Sequence, residues 1–333
     1  IVFGILQSSS WGLVEPVEPP FTVFGFSPAI FVIGGGVALL YAFVPWSRHR
    51  EAKGLDPLVR LDLIRIPTLR SGLASLLSQN LVLMGIFFVV PLYLQLVLGL
   101  DALETGIRML PVSVAMFIAS AAGSRLFSRY SVRRIIRSGF VVVAVAIAIL
   151  MGAIEPSLES LAFAGAMALL GTGMGLLASQ LGNVVQSSVD ASGRSEAGGL
   201  QFTAQQLGSS VGVALVGAVV LAGLASNFVS TVGSDERIAP PVAAAVSIAV
   251  DGSVEFVASD DLAAAMADSP IDEETQAAIV EDYESAQLQA LKTGLFVAAA
   301  VALLALMFTR DLPSRRPDPV PASVGSEAGP EGA

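Results

Sequence analysis

The feature that most constrains this fold is a series of long intervals without a charged residue. Residues 71–100, 160–189 and 197–234 contain no Asp, Glu, Lys or Arg, and most of their side chains are apolar. About 20 apolar residues, at roughly 1.5 Å rise each, cross a hydrocarbon core of about 30 Å as an α-helix. Each interval is therefore long enough to span a membrane.

Shorter charge-free runs become long enough when flanking residues are included, because long side chains at a span's ends can reach the interface. The predicted spans are the end of a helix at 1–9, then 24–46, 71–98, 104–127, 134–153, 160–185, 197–227 and 287–309. These spans predict an all-α, polytopic membrane protein. Because the first residues read as the end of a helix, we expect a C-terminal piece of a longer protein, cut within that helix.

The composition agrees with the bilayer as the main solvent of this chain. It is 54% hydrophobic and 14% charged, with a mean hydropathy of +0.74, which is too apolar for a soluble core of this size. The net charge is −10, but 13 of the 28 acidic residues lie between residues 235 and 284. The charge balance therefore says little about partners, and we expect no nucleic-acid partner. There is no cysteine and one histidine, His49. We therefore expect no metal site, cofactor or catalytic residue.

The loop charges predict the orientation, because Lys and Arg resist translocation. Basic residues concentrate in 47–70, in 125–137, at Arg194 and in the tail at Arg310, Arg315 and Arg316. We therefore expect a multi-pass protein of the cell membrane, with 47–70 as a basic cytoplasmic loop, 228–286 as an acidic extracytoplasmic loop, and 313–333 as a disordered cytoplasmic tail. Within the acidic loop, 272–289 has the spacing of an amphipathic helix that runs into the last span.

The main polar groups inside the predicted spans are amides, and the only Asp or Glu in any span is Glu104, the first residue of the span at 104–127. If the parent protein is proton-coupled, its proton-carrying carboxylate is therefore expected in the missing N-terminal part. The amides are Gln79, Asn80, Gln180, Asn183, Gln186, Gln201, Gln205 and Gln206. Gln201, Gln205, Gly208 and Gly212 lie along one helical face. Either these amides hold helices together, or some of them line a cavity open to the cytoplasm and bind a substrate.

Two further local patterns carry predictions. Gly171/Gly175 and Gly208/Gly212 have the GxxxG spacing that permits close helix packing. Asp101 is placed to cap the next helix, and Arg108 lies one turn after Glu104. Arg108 is interpreted as one partner of a salt bridge at the membrane rim, or alternatively as a gate residue.

Two sequence runs carry a family resemblance. Residues 91–95 read PLYLQ, followed by Gly99, LETG at 103–106 and LP at 110–111; residues 198–208 read GGLQFTAQQLG, followed by GVAL at 212–215. These runs resemble the fourteen-span, EmrB/QacA-type branch of major facilitator drug:proton antiporters, over residues 1 to about 312. The resemblance implies the end of one span, an extra hairpin span, and the six-helix C-terminal bundle at 71–312.

The same family repeats a basic motif, G-x-L-A-D-R-x-G-R-R, between the second and third helices of each half. Leu126, Arg129, Arg133 and Arg134 match its Leu, Arg and paired basic positions. Ser128 stands where the motif has Asp, and Ser131 where it has the turn Gly. The resemblance therefore implies a degenerate copy, whose gate-latching role is open.

The sequence and the resemblance together predict a transporter and not an enzyme. We expect proton-coupled export of drugs or other hydrophobic or cationic small molecules by alternating access, the activity that underlies antibiotic resistance in this family. The expected partners are the lipid bilayer, a small-molecule substrate, and protons carried by the missing N-terminal half. The alternative is a membrane sensor or scaffold of the same fold that does not transport.

Overall fold

The computed structural model describes residues 21, 26–53, 61–126, 129–155, 160–252, 256–267 and 271–314. The chain divides into two units, Ile1–Arg65 and Ile66–Ala333. In the first unit, helix α1 covers Pro28–Ala52 and a 3-10 helix covers Leu61–Arg65. Helix α1 overlaps the predicted span at 24–46 and continues beyond it to Ala52. The predicted helix end at 1–9 and most of the predicted tail lie outside the described residues.

The second unit is a helical bundle. Its long helices are α2 (Pro67–Leu92, continued by a π-helical segment at Tyr93–Val97), α3 (Ala102–Leu126), α4 (Val132–Ala153), α5 (Ser160–Ser187), α6 (Arg194–Ser234) and, after two shorter helices, α9 (Glu273–Phe308). By length and composition, six helices of the described residues can cross a membrane. The chain is an all-α polytopic membrane protein.

The helix ends differ from the predicted ends for identifiable reasons. Helix α2 begins at Pro67, before the predicted residue 71, because proline fits the first turn of a helix. Helices α6 and α9 have 41 and 36 residues, more than the roughly 20 that cross a bilayer core, so both project beyond it. The amphipathic helix predicted at 272–289 is the first part of α9. Asp272 caps it by accepting a hydrogen bond from the Thr275 N–H at 3.0 Å.

The bundle is packed through glycines, as the two GxxxG pairs predict. A Cβ added at Gly171 of α5 would lie 2.1 Å from the carbonyl oxygen of Val112 in α3. A Cβ added at Gly212 of α6 would lie 2.3 Å from the carbonyl oxygen of Leu81 in α2. Backbone therefore contacts backbone at both interfaces, which only a residue without a side chain permits.

The acidic loop contains two helices that the sequence pattern did not predict, α7 (Pro240–Gly252) and α8 (Ser259–Met266). It is anchored to α9 through Val257, whose N–H donates to the Tyr283 hydroxyl at 3.0 Å and whose carbonyl accepts from Gln287 Nε2 at 2.6 Å. The Tyr283 ring meets Phe228 of α6 edge to face, with centroids 5.2 Å apart. The described part of this loop is thus packed on α6 and α9.

Candidate substrate-facing amides

Two of the predicted amides are buried between helices. Gln79 is 5% exposed, and its Nε2 donates to the Met174 carbonyl of α5 at 3.4 Å. Gln180 is 2% exposed, and its Nε2 donates to the Gly123 carbonyl of α3 at 3.1 Å. Each joins two helices through a buried hydrogen bond, which is what helix packing requires of an amide in a membrane protein.

Two others bond to the helix on which they lie. Asn80 Nδ2 donates to the Leu76 carbonyl at 2.9 Å, and Asn183 Nδ2 donates to the Ser179 carbonyl at 3.5 Å. Asn80 is half-buried and Asn183 is exposed. Because these bonds use one N–H each, both amides keep a carbonyl oxygen and a second N–H for another partner.

Gln201 and Gln205 lie on α6 and are both half-buried. Among the described residues, neither side chain has a hydrogen-bond partner. Gln205 lies one turn before Gly208, where α6 contacts α2 beside Asn80: a Cβ at Gly208 would lie 3.1 Å from Asn80 Cβ. The unpaired amides therefore adjoin a helix interface without being sealed inside it.

Helices α5 and α6 bring further amides together at the same end of the bundle. A Cβ at Gly182 would lie 3.5 Å from Gln201 Nε2, and a Cβ at Gly198 would lie 3.4 Å from Gln186 Nε2. An open cleft of about 380 Å³ adjoins them, lined by Asn183, Gln186, Ser187 and Arg194. Sequence reasoning used Arg194 only as a loop charge. The available signal was that Arg194 is the one basic residue between positions 160 and 234, at the start of α6.

The residues of the basic motif have separate environments. Arg129 and Arg134 are exposed, and Arg133 is half-buried. The Arg133 N–H donates to the Pro313 carbonyl at 3.3 Å, so this segment contacts the end of the chain's described part. Its Nε is buried and has no hydrogen-bond partner among the described residues. Leu126 ends α3; its side chain and Ser128 lie outside the described residues.

Of two contacts predicted at the opposite end, one is confirmed and the other is not formed among the described residues. The Asp101 side chain caps α3 by accepting from the Glu104 N–H at 2.7 Å, as predicted. Among the described residues, the predicted salt bridge of Arg108 does not form, since no described carboxylate lies within 4.0 Å of its guanidinium. An exposed pair of this spacing gains little free energy, and holding two long side chains in place costs entropy.

The acidic loop has its own charge cluster around Arg237. Its guanidinium bonds the carboxylates of Asp235 and Glu281, each at 2.7 Å. Hydrogen bonds from Arg237 lower the pKa of Asp235. Asp282 is 6% exposed, and its Oδ2 has no hydrogen-bond partner among the described residues. Burial raises the pKa of the Asp282 carboxyl; Asp235 and Glu281 add to this, and Arg237 opposes it.

A family model for the Major Facilitator Superfamily matches residues 5–213 of the chain. The chain belongs to the Major Facilitator Superfamily. The match includes α2 to α5 and the part of α6 that holds Gln201, Gln205, Gly208 and Gly212. The amides described above thus lie in helices that the family model covers.

Several curated relatives of this superfamily member carry names that describe export. The probable actinorhodin transporter of Streptomyces coelicolor is 29% identical over 61% of the chain and 36% of its own length. The tetracenomycin C resistance and export protein of Streptomyces glaucescens is 26% identical over 97% and 57%. The multidrug efflux pump LfrA of Mycolicibacterium smegmatis is 25% identical over 93% and 56%. The chain thus spans 57% or less of the length of each of these relatives.

Proposed function

We propose that this chain forms one bundle of an exporter of hydrophobic or cationic small molecules, working by alternating access in the cell membrane. The observation that carries the proposal is the α6 face on which Gln201 and Gln205 have no described hydrogen-bond partner. An unpaired amide that faces lipid is costly, whereas one that faces a water-filled cavity is hydrated and free to bind a substrate. The export functions in the names of three relatives support the same activity.

The cavity is proposed to lie on the α6 side of the bundle, with Asn80, Asn183, Gln201 and Gln205 as its polar groups. Gln79 and Gln180 are left out of this set because buried bonds already occupy them. In a transporter built of two bundles, the binding site lies between them, near the middle of the membrane. The relatives are long enough to contain a second bundle facing α6.

Proton coupling and the fourteen-span, EmrB/QacA-type architecture belong to the same proposal. The charge-free intervals at 71–100, 160–189 and 197–234 offer no carboxylate at membrane depth. A proton-carrying group is therefore proposed in the bundle that faces α6. The loop charges support a cytoplasmic C-terminus, which would open the cleft at Asn183 and Arg194 to the cytoplasm.

The test is efflux of a fluorescent cation from cells that express the complete gene product, with and without a protonophore. Wild type is compared with Gln205→Ala and with Gln289→Ala, which makes the same chemical change at an exposed position of α9. We expect protonophore-sensitive efflux that Gln205→Ala weakens and Gln289→Ala preserves. Residues 1–333 expressed alone are expected not to transport.

Three results would count against the proposal. Equal efflux in both variants would mean that Gln205 contributes to helix packing and does not bind the substrate. Absence of efflux over a broad panel of cations would favour a sensor or scaffold that does not transport. Transport by residues 1–333 alone would remove the need for a facing bundle.

A further inference from the structure

A second cleft lies where the end of α9 meets the start of α2. It has a volume of about 370 Å³, and two of its lining residues are Arg70 of α2 and Arg310, just beyond the end of α9. Both arginines are exposed. Among the described residues, no carboxylate lies within 4.0 Å of either guanidinium. Two positive charges from different helices thus line one cleft without a described ionic partner.

Beside the arginines, the cleft also has an apolar wall, which continues along α9. Ala74, Met307 and Phe308 line it below the arginines, with Met307 55% and Phe308 47% exposed. Leu303 and Leu304, one turn deeper on α9, are 52% and 56% exposed. Apolar side chains exposed at membrane depth contact lipid tails. The cleft therefore joins a cationic rim to a surface suited to acyl chains.

The two helix ends that form the cleft are fixed to each other. The Ser71 hydroxyl donates to the Phe308 carbonyl, and the Thr68 hydroxyl donates to the Asp311 carbonyl at 3.4 Å. These bonds fix the relative position of the backbone segments that carry Arg70 and Arg310. The two arginines are therefore held close to each other before any ligand binds. A site whose backbone is already ordered loses less entropy when it binds.

We propose that this cleft binds the headgroup of an anionic phospholipid, with Arg70 and Arg310 on the phosphate and the acyl chains along Met307 and Phe308. Arginine suits this role because its planar guanidinium donates two parallel hydrogen bonds to a phosphate. Basic pockets between membrane helices bind such headgroups at this depth. The apolar wall distinguishes a lipid from a soluble phosphate, which would gain nothing from it. This inference is independent of the transport activity proposed above.

Asp311 also lines the cleft, and its carboxylate opposes an anion. Its described hydrogen bond uses the backbone carbonyl and not the side chain. Neutralising this side chain leaves that bond intact and removes the opposing charge. Asp311→Asn is therefore expected to strengthen lipid binding, whereas loss of either arginine weakens it.

The test is native mass spectrometry of the full chain released from detergent micelles, titrated with phosphatidylglycerol or phosphatidylcholine. We expect phosphatidylglycerol to bind more tightly. Arg70→Ala and Arg310→Ala should each weaken it about fivefold, the equivalent of about 1 kcal/mol per arginine near the membrane surface. Arg65→Ala is the matched control: it removes the same charge a few residues earlier in the chain, from an exposed arginine paired with Asp62 at 3.6 Å.

Each contrary outcome would overturn a specific part of the proposal. Equal binding of the two lipids, or an equal loss in Arg65→Ala, would show adsorption without a site. Competition by inorganic phosphate at the concentration of the lipid would point to a soluble anion. Because a variant that loses binding could simply be misfolded, Asp311→Asn supplies the second arm: unchanged or weaker binding there would contradict the assignment.

Discussion

Gly208 of α6 lies against the carbonyl oxygen of Leu77 in α2, so closely that a Cβ at position 208 would be 2.3 Å from that oxygen. Even alanine therefore requires the two helices to separate. We expect Gly208→Ala to lower the free energy of unfolding by about 1–3 kcal/mol, the usual cost of overpacking. The measurement is the unfolding midpoint of the purified protein in mixed micelles.

Gly106→Ala is the control for this substitution. Gly106 is also helical, and a Cβ there would meet nothing within 4 Å. Because alanine favours a helix over glycine by about 0.5–1 kcal/mol, this variant is expected to be at least as stable as wild type. Equal destabilisation of the two variants would mean that the α2–α6 contact is not as close as described.

Gln180→Ala tests whether a buried amide contributes to packing. The substitution removes the hydrogen bond to the Gly123 carbonyl at 3.1 Å and leaves that oxygen without this donor. Hydrogen bonds between membrane helices average about 0.6 kcal/mol and reach about 1.7. We expect a loss of stability in this range in the same unfolding assay, together with an unchanged apparent KM for efflux. A raised KM with full stability would instead place Gln180 in the cavity.

Tyr93→Phe tests a contact between α2 and the segment after α4. The Tyr93 hydroxyl donates to the Glu155 carbonyl at 2.8 Å, and its ring packs beside Phe163 of α5 with centroids 6.3 Å apart. Phenylalanine keeps the ring and removes the bond, so we expect a loss of about 1 kcal/mol. Hydrogen exchange of the amides near Glu155 should rise. Unchanged exchange would show that the contact does not hold this segment.

The buried carboxyl group of Asp282 is expected to make the stability of the protein depend on pH. Its raised pKa means that the folded protein binds this proton at pH values where the unfolded chain has released it. Stability therefore falls as pH rises through the interval between the ordinary and the raised pKa, and stays lower above it. We expect Asp282→Asn to melt at a higher temperature than wild type at neutral pH, with the difference vanishing below the ordinary pKa of aspartate.

Asp272→Asn should show the opposite sign. Hydrogen bonds from the Thr275 N–H and hydroxyl lower the pKa of Asp272, so its ionised form stabilises the start of α9. This variant is expected to melt below wild type at neutral pH and to converge with it in acid. Parallel curves for the two variants at all pH values would contradict both assignments.

The spans were predictable because charge and apolar length alone decide what crosses a bilayer core. The hydrogen-bond partners of the amides were not predictable from the sequence. Gln180 and Gln205 have the same side chain and similar apolar surroundings in sequence, yet one bonds a neighbouring helix and the other has no described partner. That difference depends on how each helix is rotated against its neighbours. Helix α7 was missed because the acidic loop was treated as a connection, although two prolines followed by an alanine-rich run are typical of a helix start.

If the α6 amide face borders water, a cysteine at position 205 is accessible to a water-soluble reagent. The chain contains no native cysteine, so Gln205→Cys in the complete gene product can be compared with the same product lacking that change. Gln180→Cys, buried, and Leu304→Cys, on the surface assigned to lipid, are the controls. We predict that a water-soluble maleimide labels position 205 rapidly and the controls slowly, and that an exported cation protects position 205. Labelling at 205 as slow as at 304 would mean that the α6 amide face does not border water.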